Sequence, residues 1–186
     1  MISRSFTGLA LAALLALPAA AEAQSRRSSG TQIGGLVGFE LGDLDGFALR
    51  LDGQVDLQRL APQFMLSGVG SLQFSHLSDE DGGMEWTANI FELIPAARFT
   101  YEATRDVGIY GDLGLGLYIG HFNVDFGAFG DEDDSDAGLS MRFGGGAYFE
   151  ISPSVRLTGE LAFHPHFGDY DETTFSLMVG ASFALR

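Results

Sequence analysis

The sequence predicts an all-β protein, an eight-stranded antiparallel up-and-down transmembrane β-barrel, on three observations. Apolar side chains recur at every second position through most of the chain after residue 30, and a period of two puts alternate residues on opposite faces of a strand. Glycine is frequent (26) and proline scarce (5), as suits tightly packed strands. The alternating stretches number eight, with short turns at one end and longer acidic connections at the other, the sidedness of a membrane barrel.

The elements follow in order. "TQIGGLVGFEL" (31–41) sets Ile33, Val37, Phe39 and Leu41 against Gln32 and Glu40, and "GDLDG" turns the chain. "LRLDGQVDLQRL" (49–60) carries Arg50, Asp52, Gln54 and Asp56 between apolar residues. "QFMLSGVGSLQFSHL" (63–77) opposes Phe64, Leu66, Leu72 and Phe74 to Ser67, Ser71, Gln73 and Ser75, before the loop "SDEDGG". "EWTANIFELIPAARFTY" (85–101) opposes Phe91, Leu93, Ala97 and Phe99 to Glu92, Arg98 and Thr100; Pro95 predicts a bulge or kink, since proline lacks the ladder donor.

After "EATRD", "VGIYGDLGLGLYIGHF" (107–122) places Ile109, Leu113, Leu115, Leu117 and Ile119 opposite Tyr110, Asp112, Gly114, Gly116 and Tyr118. A long loop is expected over 123–138. "LSMRFGGGAYFEI" (139–151) opposes Leu139, Met141, Phe143, Phe149 and Ile151 to Arg142, Tyr148 and Glu150. "VRLTGELAFHPHF" (155–167) opposes Val155, Leu157, Leu161 and Phe163 to Arg156, Thr158, Glu160 and His164, and "TTFSLMVGASFALR" closes the series.

The first residues, "MISRSFTGLALAALLALPAAAEAQ", combine Arg4, an apolar run from Gly8 to Leu17, Pro18 and Ala21-Glu22-Ala23. That pattern is a secretory signal cut after Ala23, so residues 1–23 are expected to be removed and 24–186 to form the barrel domain. No later stretch has the length of a spanning helix. Cysteine is absent, so no disulfide framework exists. Arg4 and Glu22 cancel, leaving the mature chain at the formal charge of the whole, −15, which argues against nucleic acid as a partner.

Alternation alone does not say which face meets which surroundings. In a soluble periplasmic ligand-binding barrel the apolar face points inward; in a membrane barrel it meets lipid and the polar face fills the lumen. The secretory signal, the sided connections and the contrast between a Leu/Phe/Ile/Val face and a Gly/Ser/Thr/Gln face favour the membrane. The charged members of the second face are then lumenal ion pairs: Arg50, Asp52, Glu92, Arg98, Asp112, Arg142, Glu150, Arg156 and Glu160, with Asp56 beside them. Inside a barrel such charges must pair, because an isolated buried charge costs several kcal/mol. Arg98, Glu92 and Asp112 are expected to share one ion-paired plug.

The stretch "FELIPAARFTYEATRDVGIYGDLGLGLYIGHF" resembles the central hairpin of small outer-membrane barrels, the group of OmpA transmembrane domains, OmpX-like proteins and opacity-type surface proteins. The resemblance covers, as pattern, most of residues 30–186. It implies a bacterial outer-membrane protein of the porin family in the broad sense. The expected role is non-enzymatic, in envelope integrity or surface contact through acidic extracellular loops, and no cofactor is implied. Its partners would be outer-membrane lipid and lipopolysaccharide, the barrel-insertion machinery, and a surface ligand or divalent cation at the loops, with the barrel a monomer. Members usually end the last strand on an aromatic; here Phe183 and Leu185 stand near that position.

Three chemical alternatives are visible. "DEDDSDAG" (131–138) has alternating acids, yet a calcium loop starting at Asp131 would put Asp136 where glycine is required and Arg142 where the bidentate glutamate belongs, so a solvated acidic loop is expected. His76, His121, His164 and His166 fall near the loop-bearing ends of strands, but their differing parities predict interfacial or loop-packing side chains rather than a metal centre. His76, Ser78 and Glu85 resemble the His-x-Ser plus Glu arrangement of outer-membrane lipid A deacylases, in which the imidazole takes the serine proton and the carboxylate orients it. That family's asparagine after the serine is Asp79 here.

Overall fold

In the computed structural model, residues 30–81, 84–125, 131–168 and 170–185 are described, with the side chains of 80, 81, 84, 85, 125 and 131–133 outside that set. The expected secretory signal, 1–23, lies outside the described residues. Eight antiparallel strands close on themselves in sequence order: β1 (Thr31–Leu41), β2 (Asp45–Ala61), β3 (Phe64–Asp81), β4 (Met84–Glu102), β5 (Val107–Asp125), β6 (Asp131–Ser152), β7 (Val155–Phe167) and β8 (Thr173–Leu185). Pairing of β1 with β8, from Thr31 with Leu185 to Leu41 with Phe175, removes both sheet edges, as hydrocarbon requires of a spanning sheet.

The burial pattern is inside out relative to a soluble protein. Along β5, Ile109, Leu113, Leu115, Leu117 and Ile119 are 43–56% exposed, whereas Tyr110, Asp112 and Tyr118 are buried. The buried residues include Arg50, Glu92, Arg98, Asp112, Arg142 and Glu160. The apolar face therefore points outward on every strand, in the parity the sequence predicts. From Ile109 to Ile119 the belt spans ten residues, which at ~3.4 Å per residue and ~40° tilt is about 26 Å, matching the ~25 Å apolar band of membrane barrels.

The cross-strand register fixes the upper edge of this belt. Leu49, Phe74, Phe91 and Ile119 form one outward row; the next row is Phe47, His76, Asn89 and His121, and the next is Asp45, Ser78, Thr87 and Asn123. Apolar gives way to polar within two rows. Both described chain ends and the turns at 62–63, 103–106 and 153–154 lie at the opposite rim, which is therefore the periplasmic one.

Several boundaries differ from those read in the sequence. β2 starts at Asp45, and β3 runs on through the first four residues of "SDEDGG" to Asp81. The expected long loop over 123–138 is largely strand: β5 runs to Asp125 and β6 starts at Asp131, paired with each other throughout. Ladder pairing of the backbone extends the hairpin beyond the belt despite the acids. Pro95 makes no bulge either. Pairing of β4 with β5 lapses at Ile94 and Pro95 and resumes in the same register at Ala96, while pairing with β3 is continuous. The missing donor costs one side of one strand locally. The register shifts fall instead near the periplasmic turns, at Asp56/Gln58, Arg59/Ala61 and Glu150/Ser152.

Candidate functional site

Everything that carries charge inside this barrel is arranged in layers along its axis. The central layer holds Arg50, Arg98 and Arg142 with Asp52, Asp112 and Glu160. Arg98 donates Nε to Asp112 Oδ1 at 2.7 Å and Nη2 to Asp112 Oδ2 at 2.6 Å, a bidentate pair. Arg50 Nη1 donates to Glu160 Oε1 at 2.6 Å, and its Nε lies 3.0 Å from Asp52 Oδ1. Arg142 reaches Asp112 at 3.4 Å and donates to Ser71 Oγ at 2.8 Å. Glu160 also accepts from Tyr110 OH at 2.8 Å, and the Arg98 guanidinium stacks 4.0 Å above the Tyr110 ring. Three cations meet three anions, so the layer is neutral as a unit, the condition under which buried charges are tolerable.

A second layer lies toward the extracellular side. Glu92 does not join Arg98, contrary to the sequence expectation: it accepts from Ser140 Oγ and contacts His166 Nε2 at 3.1 Å and His164 Nδ1 at 3.5 Å. Inclined strands carry Glu92 toward β7, whereas Arg98, six residues lower on β4, meets Asp112 directly across the β4–β5 ladder. Two of the histidines are thus lumenal and fully buried rather than interfacial. Glu40 completes this layer, accepting from Gln73, Ser75 and Thr174.

Above it the lumen becomes apolar. Leu77, Ala88, Ile90 and Tyr118 form a fully buried cluster, with Leu44, Phe122 and Tyr170 packed against it. The β7–β8 connection is held down here: Tyr170 N donates to Asp136 Oδ2 at 2.9 Å, and Tyr118 OH donates to the same carboxylate. The Tyr170 ring lies 4.9 Å from Phe122 and 5.4 Å from His166. Burial pushes its phenol above the ordinary range.

At the periplasmic mouth, Arg156 pairs with Glu150 at 2.6 Å and stacks over Tyr148. Ser67 donates to Asp56 at 2.9 Å beside Gln54. Glycines make room for the large lumenal rings. Tyr110 faces Gly146, Tyr118 faces Gly138 and Tyr148 faces Gly108 across the β5–β6 ladder. A Cβ on Gly146 would lie 2.7 Å from Tyr110 Oη, and one on Gly108 2.5 Å from Tyr148 Oη. The Tyr/Gly alternation is visible in the sequence, but its reciprocity needs the register.

The remaining candidates face outward. His76 is half-buried against Phe47, its ring 5.4 Å away, and its Nδ1 is 2.9 Å from Asn89 Oδ1. Ser78 is on the same outward face, two residues higher; among the described residues no hydrogen bond joins it to His76, and the side chain of Glu85 lies outside the described set. His121 is exposed on the outward row next to Asn89. The acids from Asp131 to Asp136 lie along an extended strand rather than in a loop wrapped around one centre.

Comparison with known proteins agrees with this geometry. The family model described as outer membrane protein beta-barrel domain matches residues 7–183. No curated protein matches the chain. Among solved structures, a major outer membrane protein from Thermus thermophilus is similar at 14% identity and a TM-score of 0.63, over 86% of this chain and 100% of that one. The attachment invasion locus protein Ail of Yersinia pestis, in complex with the heparin analogue sucrose octasulfate, is similar at 17% identity and 0.55, over 84% and 97%. The outer membrane enzyme PagL is similar at 15% identity and 0.51, over 83% and 99%. At such identities the likeness is one of fold. With the family model spanning nearly the whole chain, the closed ring of eight strands and the outward apolar belt, this protein belongs to the outer membrane protein beta-barrel domain family.

Proposed function

We propose that the protein is a non-enzymatic outer-membrane barrel that serves envelope integrity or surface contact through its acidic extracellular end, rather than a general channel or a hydrolase. The observation that carries this reading is the filled lumen. From the Arg98–Asp112 layer to Tyr118, side chains that are 0–10% exposed occupy the axis, and the partly buried Tyr170 packs above them. Eight strands leave an interior just wide enough for such a fill. Surface contact is supported by the charge at the extracellular rim, where Asp43, Asp45, Asp79, Asp134, Asp171 and Glu172 gather with no arginine at that rim among the described residues; a complementary partner would be cationic. Outer-membrane lipid, the insertion machinery that places the barrel after export by its signal, and a monomeric state complete the proposal.

A hydrolase would need His76 to take the proton of Ser78, and among the described residues no hydrogen bond joins the two, His76 Nδ1 lying 2.9 Å from Asn89 Oδ1 instead. Planar-bilayer recording of the purified protein tests the channel alternative: the filled lumen gives no steps of conductance, and steady porin-like steps would contradict it. Incubation with lipopolysaccharide tests the other. Fatty-acid release that is lost in His76→Ala would replace the non-enzymatic reading.

A further inference from the structure

We infer that the lumen is a blind polar vestibule, open only to the periplasm, which takes up water and small uncharged polar solutes as far as the Arg98–Asp112 pair. The inference rests on the outer-membrane orientation used above, but goes beyond the absence of a through channel by assigning a solute-accessible site to one end of the barrel.

Exposure of the lumenal charges falls steadily from the periplasmic rim. Side chains of Arg156 and Glu150 at the mouth are 28% and 27% exposed, those of Arg98 and Asp52 are 10% and 9%, and those of Asp112, Glu160, Arg50 and Arg142 are 0%. Beyond that layer His164, His166 and Glu92 remain at 0–1%, and the apolar cap follows. Between mouth and pair lies a cavity of about 30 Å³ lined by Gln32, Gln54, Thr100, Tyr148, Thr158 and Ser182, with Arg98 at its inner end. A polar cavity with more than ~10–15 Å³ of such space admits water, so this one is wet at rest.

Its chemistry excludes a strongly charged occupant. Arg98 is already engaged by Asp112 and by Gln54 Oε1, at 3.1 Å, Arg156 is engaged by Glu150, and Asp52, which also lines the cavity, is paired with Arg50 Nε at 3.0 Å. What remains to bind a visitor are neutral hydroxyls and amides. Among the described residues the extracellular end offers no equivalent entrance, because the cap of Tyr118 and Tyr170 is fastened through Asp136.

The chain has no cysteine, so single thiols report access cleanly, and iodoacetamide is itself a small uncharged polar solute. Thr158→Cys and Ser182→Cys sit in the vestibule; Ala48→Cys and Ser176→Cys sit in the closed half, where both parent residues are 0% exposed. In lipid vesicles, on barrels confirmed as folded by their heat-modifiable gel shift, the vestibule thiols are expected to alkylate at least tenfold faster than the other two. All four should react alike after unfolding. Adding Tyr170→Ala to Ser176→Cys should raise its rate by opening the cap. Inert vestibule thiols, or equal rates at all four positions in the folded barrel, would overturn the inference. Either result can occur without porin-like conductance, so its failure is distinguishable from failure of the filled-lumen reading.

Discussion

Arg98 and Asp112 face each other across β4 and β5 as direct register partners, joined by two parallel hydrogen bonds of 2.7 and 2.6 Å inside the barrel. Because Arg98 also lies within 3.9 Å of Asp52 and 3.5 Å of Glu160, its loss leaves acids uncompensated. Arg98→Ala is expected to cost about 3–5 kcal/mol, as when one partner of a buried pair is removed. Arg98→Met with Asp112→Leu removes both charges and should cost less than Arg98→Ala alone. Urea unfolding midpoints in lipid vesicles compare the three proteins; a double variant as unstable as the single one would mean that the pair is not an isolated unit of the network.

Gly116 faces the lumen and lies against the β4 backbone at Leu93 and Ile94. A Cβ there would lie 2.1 Å from the Leu93 carbonyl oxygen and 2.8 Å from Ile94 Cα, both backbone atoms. Neither can yield without shifting β4 against β3, with which Leu93 and Ile94 are paired, so Gly116→Ala should abolish the folded, heat-modifiable form and Gly116→Leu more so. Gly53 faces outward, with nothing within 4 Å of its added Cβ. Gly53→Ala should fold as the parent does. Equal behaviour of the two alanine variants on a gel would refute the close approach.

Much of this was legible in the sequence because strand parity depends only on local alternation. The faces of Arg50, Asp112, Glu160 and their apolar neighbours follow from counting by two, and closure follows from eight strands with sided turns. What local pattern does not contain is the partner across the barrel. Glu92 and His166 are 74 residues apart and meet only because inclined strands bring β4 and β7 to one level. Likewise, "DEDDSDAG" has turn-like composition, yet β6 keeps its ladder with β5 there, from Asp131 opposite Asp125 to Gly138 opposite Tyr118.

Asp136 illustrates how that hairpin matters. Its carboxylate accepts from Tyr118 and from the Tyr170 amide, tying the β7–β8 connection to β6. Hydrogen bonds to a charged group are worth about 1.5–3 kcal/mol, so Asp136→Ala should release the connection locally. The heat-modifiable shift should persist, because the paired rows within the belt are untouched, while limited proteolysis within 168–172 should accelerate severalfold. An unchanged digestion rate would mean that apolar packing of Tyr170 alone holds the cap.

The inside-out arrangement itself is tested most directly at Leu115, which is 56% exposed in the middle of the apolar belt. Leu115→Arg is compared with Thr87→Arg, which faces outward above the belt, by equilibrium unfolding of both variants in lipid vesicles. A lipid-facing mid-belt arginine costs roughly 2–4 kcal/mol and one near the interface about 0–1 kcal/mol. A loss confined to Leu115→Arg is the expected result; equal stability of the two variants would contradict the assignment of the apolar face to lipid and of the charged face to the lumen.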